Sequence, residues 1–251
     1  MSTENQIIKK KNNDKIEVNA RIPVTSHKRA IKIFKNLIKY LILILFISIF
    51  GLYIWISEGW RIVFSDSEMK TMATEINSTP SLSQNFYKTY DKLNPTKRNT
   101  TMNQELLSMW KTLFNISNKP KLCICHTVYH NLELTNDIAK KKLKKRNDSG
   151  GFLIYRHLNY FVGWGLQNYS TPEKCFDYYI NSFVSEAKNI QSTKALNELL
   201  VIPFSRMTED QIIEFIILMK APSYYDKYKN PKRFQRVFLK LKDKLNTAAN
   251  K

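Results

Sequence analysis

Residues 207–236 read "MTEDQIIEFIILMKAPSYYDKYKNPKRFQR". From Thr208 the run Ile212, Ile213, Phe215, Ile216, Ile217, Leu218, Met219 is apolar nearly all round, so a helix here belongs at the centre of a core. Pro222 ends that helix, because a proline supplies no backbone donor and clashes with the preceding turn. Asn230-Pro231 opens the next one, with proline at the first helical position. In that last helix Phe234, Val237, Phe238, Leu241 and Leu245 repeat as one apolar stripe with Lys and Arg opposite. The connector between the two helices is Tyr- and Pro-rich, and Tyr225 and Tyr228 are expected to pack back on the central helix. Its expected job is structural: it clamps two helices together.

Upstream segments carry the same period. Ser65-Asp66-Ser67-Glu68 forms a capping box in front of Met69, Met72, Ala73 and Ile76, and Met102, Leu106, Met109, Trp110, Leu113 repeat at helical spacing. Thr171-Pro172-Glu173 starts a helix with the stripe Phe176, Tyr179, Ile180, Phe183. No segment alternates with period two, so the class is mainly α. At 251 residues, 43% hydrophobic, the chain is long enough for one large core. Only 6 Gly and 8 Pro argue against collagen-like or low-complexity structure.

Tyr40 to Ser57, "YLILILFISIFGLYIWIS", holds no charge. At about 1.5 Å per residue, extended by Leu37 and Ile38 past a snorkelling Lys39, it can cross a ~30 Å hydrocarbon layer. It is too long for a signal-peptide core, some 39 residues precede it, and no small-residue cleavage site follows, so it reads as an uncleaved anchor. Ten Lys or Arg in residues 1–39 face only Glu4, Asp14 and Glu17, whereas Glu58, Asp66 and Glu68 follow the span. The positive-inside rule then places the N-terminus in the cytoplasm and the domain outside. The expected organisation is a basic, largely disordered tail over 1–36, a transmembrane helix over 37–57, and an external helical domain over 58–251. Residue usage resembles that of a low-GC bacterium.

The 207–236 stretch resembles the C-terminal signature of family 51 glycosyltransferases, the peptidoglycan transglycosylases. Ala221, Pro222, Ser223, Tyr225, Asn230, Pro231 and Arg236 fall into its register without a gap, and Tyr179-Ile180-Asn181 matches the family's Tyr-Leu-Asn helix. The resemblance covers residues 150–240 well and 65–150 poorly. It implies a lysozyme-like, mostly helical domain against the outer face of the bacterial inner (cytoplasmic) membrane that polymerises lipid II into glycan strands. In that chemistry a carboxylate deprotonates the acceptor hydroxyl, while a second acid and basic side chains with a divalent cation help the pyrophosphate leave.

The family's acids are not matched. Its glutamate in the Arg-Lys-x-x-Glu motif falls on Asn159, with Tyr155 and Arg156 at the basic pair, and the next glutamate falls on Gln167. In the first motif Leu82 and Ser83 stand where the acids belong, and Glu75 serves as the base only if seven residues are inserted. An amide cannot move a proton near neutral pH. The resemblance thus leaves two function classes open: a divergent glycosyltransferase whose acids come from elsewhere, with Glu75 the candidate base, and a non-catalytic relative that holds lipid II, glycan strands or another wall-synthesis protein.

Other clusters carry weaker chemistry. Lys140 to Arg146, "KKKLKKR", suits pyrophosphate or anionic headgroups, with Lys140, Lys141 and Arg156 the candidate substrate contacts, or it is a solvated loop. Cys123, Cys125, His126 and His130 have zinc-ligand chemistry, but a Cys-x-Cys gap is shorter than the usual spacing. Alternatively one of these cysteines pairs with Cys175, or all three are thiols; an odd count leaves one unpaired. The +19 charge does not imply nucleic acid, because the anchor holds the basic domain outside the cytoplasm.

Overall fold

The structure, a computed structural model, describes residues 24–94, 98–116, 120–147, 152–189 and 193–249. The side chains of residues 24–30, 130, 133–134, 143–147, 152–159, 189 and 248–249 lie outside that description. Eleven α-helices make up the described chain, with no strand among the described residues: α1 Val24–Glu58, α2 Asp66–Ser78, α3 Gln84–Leu93, α4 Met102–Leu113, α5 Ile124–Thr135, α6 Asp137–Asn147, α7 Phe152–Tyr169, α8 Pro172–Asn189, α9 Lys194–Leu200, α10 Glu209–Lys220 and α11 Pro231–Ala249. The chain divides into two compact units, residues 1–51 and 52–251.

The stretch from Ile31 to Ile62, in α1 and the short 3-10 turn after it, is long and apolar enough to cross a membrane. The helix starts at Val24, directly after Pro23, rather than near residue 37. Residues 24–36, expected within a disordered tail, are therefore helical. A long apolar helix already nucleated downstream propagates through Ala30, Lys32 and Lys35, which are good helix formers.

In the larger unit the expected caps are in place. Ser65 and Glu68 exchange both capping-box hydrogen bonds, and Met69, Met72, Ala73 and Ile76 are buried behind them. α10 starts on a second such box, Thr208 with Gln211, and buries Ile212, Ile213, Phe215, Ile216, Ile217 and Leu218. It is the central helix that its sequence calls for. Phe215 meets Phe86 of α3, Phe183 of α8 and Phe204 edge-on at 5.9, 5.9 and 5.3 Å, and α11 lays Phe234 and Leu245 against the same core.

The connector closes as a built turn. Tyr225 N–H donates to Ala221 O at 3.1 Å, Asn230 N–H donates to the carbonyl of fully buried Asp226 at 2.7 Å, and Phe234 N–H returns to Asn230 O at 3.0 Å. Tyr225 packs on the core, as expected. Tyr228 does not pack on α10: its hydroxyl donates to Glu198 on α9 and Lys194 lies 4.6 Å over its ring. A phenol that finds a carboxylate and a cation at the surface has less reason to be buried. Arg236 is exposed on α11.

α5, α7 and α8 form the other half of the unit. Gly163 and Gly165 let α7 approach its neighbours closely: a Cβ on Gly163 would lie 3.1 Å from the His126 backbone, and one on Gly165 2.8 Å from the Trp60 ring. Cys125 on α5 and Cys175 on α8 are joined by a disulfide with Cα atoms 5.2 Å apart. This settles which cysteine pairs and removes Cys125 from any zinc set; among the described residues no cluster of three metal-ligating side chains occurs. His130 is among the residues whose side chains are not described.

Candidate functional site

Two places in the larger unit gather polar chemistry. The first surrounds Glu75 on α2. Asn136 Nδ2 donates to its Oε2 at 2.6 Å and the Tyr178 hydroxyl of α8 to its Oε1 at 3.0 Å. Asn136 also caps α6, accepting from Ala139 N–H at 3.0 Å. Burial pushes the Tyr178 phenol up to about 12, so at neutral pH it is a donor. Two turns earlier on α2, Glu68 pairs with Lys142 at 3.0 Å. The fold thus brings the basic run of α6 to the helix that carries Glu75. Lys140 and Lys141 are exposed there, while Arg156 and Asn159 lie on α7 in the stretch whose side chains are not described.

Three of the positions that the resemblance assigns to the family's acids, Leu82, Ser83 and Gln167, have partners within the fold. Leu82 is buried, with its N–H on the Tyr87 hydroxyl at 3.1 Å. Ser83 caps α3 and donates to Phe204 O at 2.9 Å. Gln167 accepts from Met102 N–H at 2.6 Å and so fixes the start of α4. Tyr87 in turn donates to Asp177, a buried carboxylate whose pKa burial raises.

The second place is a cavity of about 230 Å³ where α1 meets the domain. The last turns of α1, from Leu52 on, belong to the same compact unit as the helices they touch. Tyr53 OH donates to Asn103 Oδ1 of α4 at 3.1 Å and its ring meets Trp164 of α7 edge-on at 5.7 Å; Trp55 meets Phe161 at 5.1 Å. Between these contacts Trp55 and Ile56 of α1, Met102, Leu106 and Met109 of α4, and Tyr160, Phe161 and Trp164 of α7 leave the cavity, lined almost wholly by apolar groups. An apolar cavity of about 150 Å³ is known to take benzene, so this one has room for a short run of hydrocarbon chain.

One charged group lines it. Glu105 of α4 is fully buried and accepts from Cys123 N–H at 2.6 Å, with His126 Nδ1 at 3.3 Å from its other oxygen. The His126 ring lies tilted against Tyr160 with ring centroids 4.2 Å apart. The free Cys123 thiol beside it is buried, and desolvation pushes it up to about 11. Glu105 escapes a sequence reading because it occupies an ordinary helix position; its one signal is that it falls three residues after Met102, on the buried edge of α4. The expected stripe of α4 is accordingly displaced: Met102, Glu105 and Ser108 are buried, while Met109, Trp110 and Leu113 are exposed.

Compared with known proteins, the chain matches no family model, no curated protein and no solved structure.

Proposed function

We propose that this chain is a membrane-anchored, lysozyme-like relative of the peptidoglycan transglycosylases that holds the lipid-linked end of a wall precursor such as lipid II without polymerising it. The observation that carries the reading is the apolar cavity beside the last turns of α1, sized for part of a hydrocarbon chain and lined there by Trp55 and Ile56. The ungapped connector motif, Ala221 to Arg236, supports the family. Basic residues clustered before Tyr40 support a domain outside the bacterial cytoplasmic membrane, and the Cys125–Cys175 disulfide is of the kind that persists in such a compartment. Leu82, Ser83 and Gln167 have structural partners where the family uses acids, which favours holding over catalysis.

One observation favours the catalytic alternative: Glu75 lies on the helix that receives the basic run of α6. With a divalent cation supplied, Glu75 would then act as the base and Lys140 and Lys141 would meet pyrophosphate. The experiment puts full-length protein in lipid nanodiscs with radiolabelled lipid II. Expected are saturable binding, a loss of about tenfold or more on Met109→Glu, which sets a charge at the apolar rim, and no glycan strands with or without Mg²⁺. Strands that disappear on Glu75→Gln establish the polymerase instead. Absence of binding to the parent protein refutes the holding role.

A further inference from the structure

α4 and the turn after it carry large apolar side chains that the domain leaves uncovered. Leu113 and Ile116 are each 72% exposed, Phe114 64% and Leu107 56%, and Trp110 stacks on Phe114 with centroids 6.0 Å apart. The turn is a built structure. Asn115 takes a left-handed conformation at φ 57°, its N–H bonds to Thr112 O at 3.1 Å, and Ile116 N–H bonds to Lys111 O at 2.7 Å. Asparagine is among the few side chains that tolerate that conformation. Single exposed apolar residues are ordinary, but five large ones within ten residues of a helix end and its turn call for a partner.

Position decides which partner. Tyr53 and Ile56 lie within the last turns of the apolar span of α1. Aromatic residues at that level of a spanning helix mark the boundary between hydrocarbon and headgroups. α4 is fastened to those same turns, through the bond from Tyr53 to Asn103 and through Leu106 and Met109, which share a cavity with Ile56. An element tied to those turns sits at their depth, so its uncovered face meets lipid. Lys111 and Lys121 flank the patch and are exposed, suited to headgroup phosphates while their stems lie along apolar surface.

We propose that α4 and the turn 113–116 are a second membrane contact: an interfacial element that inserts Trp110, Leu113, Phe114 and Ile116 into the leaflet where α1 emerges. A helix with a strongly apolar face and cationic edges binds the interface in this way, independently of a spanning anchor. The contact restrains the domain against the bilayer at a second point. It rests on the exposed patch alone and stands whether or not the cavity holds a wall precursor.

The test uses the full chain in phosphatidylcholine–phosphatidylglycerol vesicles, with a solvatochromic dye on the introduced thiol of Leu113→Cys; the parent chain, whose one free cysteine is buried, is the labelling blank. Expected are a blue-shifted dye, quenching by dibrominated lipid and protection from aqueous iodide. Phe114→Glu with Ile116→Glu should abolish both the quenching by lipid and the protection, while the far-ultraviolet helix signal stays unchanged, since both side chains are at the surface. A dye open to iodide and blind to dibrominated lipid overturns the proposal. So does a dye shielded from both whose self-quenching rises with protein density, because a second copy would then cover the patch.

Discussion

Reducing the Cys125–Cys175 bond gives the most direct reading of how the larger unit is held. The bond spans 50 residues and encloses α6 and α7, including the basic run and the Gly163–Gly165 contact helix. Opening a loop of that length returns chain entropy to the unfolded state worth about 4 kcal/mol. For a unit of this size each kcal/mol moves the midpoint by about 2–4 °C, so the reduced protein should melt roughly 8–16 °C lower. The assay is tryptophan-monitored thermal unfolding of the full chain in detergent with and without a phosphine reductant. Cys125→Ser with Cys175→Ser should melt with the reduced protein. A thiol count in denaturant should give one per chain before reduction and three after. Three thiols at the outset, from protein purified without reductant, would refute the pairing. An unchanged melting curve alongside a rise from one to three would refute the constraint.

At Gly165 even a Cβ would come within 2.6 Å of Met69 Cε and 2.8 Å of the buried Trp60 ring, so Gly165→Val should lower the urea midpoint: overpacking costs about 1–3 kcal/mol against roughly 0.4 kcal/mol of regained helix propensity. Gly51→Ala, with nothing within 4 Å, should leave that midpoint where it is. Replacing Pro222 by Gly and Tyr225 by Ala together should cost about 2 kcal/mol, because the half-buried Tyr225 loses its core packing and its edge contact with Tyr224, and equal chemical-denaturation curves would contradict the clamp. A phosphatase reporter fused after Lys251 should be active, since that enzyme needs an external, oxidising compartment; activity of a cytoplasmic reporter at the same position would reverse the topology.

What the sequence revealed about the fold was whatever is written locally. Ser65 with Glu68, Thr171-Pro172 and Asn230-Pro231 each carry their helix start in three or four residues, and all three helices begin there. α10 is recognisable as central because it is apolar nearly all round from Ile212 to Met219. α4 shows where such reading fails. Its stripe Met109, Trp110, Leu113 has the period of a core helix, yet a stripe meant for lipid has the same period, and hydropathy does not distinguish a protein interior from a bilayer. Glu105 fails for the converse reason: a carboxylate is buried only when partners meet it, and these partners, Cys123 N–H and His126, are 18 and 21 residues away. The cysteine pairing was ambiguous because Cys123 and Cys125 are two residues apart, and only the turn of α5 decides which of them faces α8.

Glu75 illustrates how a single carboxylate can look catalytic in sequence and structural in space. A general base needs a lone pair directed at its substrate. Glu75 has two oxygens with about four acceptor sites, and the protein engages one site on each, from Asn136 at the start of α6 and from Tyr178 in the middle of α8. These bonds tie three helices together, and a half-buried carboxylate in that position contributes through both of them. In Glu75→Gln the side-chain carbonyl can still accept from Asn136, while its NH2 turns to the Tyr178 oxygen, whose proton then goes to Thr135 Oγ1 at 2.6 Å; exchanging two charge-assisted bonds for neutral ones costs about 1–2 kcal/mol. A holding protein would therefore show the substitution as a lower melting temperature with lipid binding retained below it. A polymerase would lose strand synthesis at temperatures where the variant is still fully folded. Melting and synthesis measured on the same preparation separate a residue that holds α2, α6 and α8 in place from one that moves a proton.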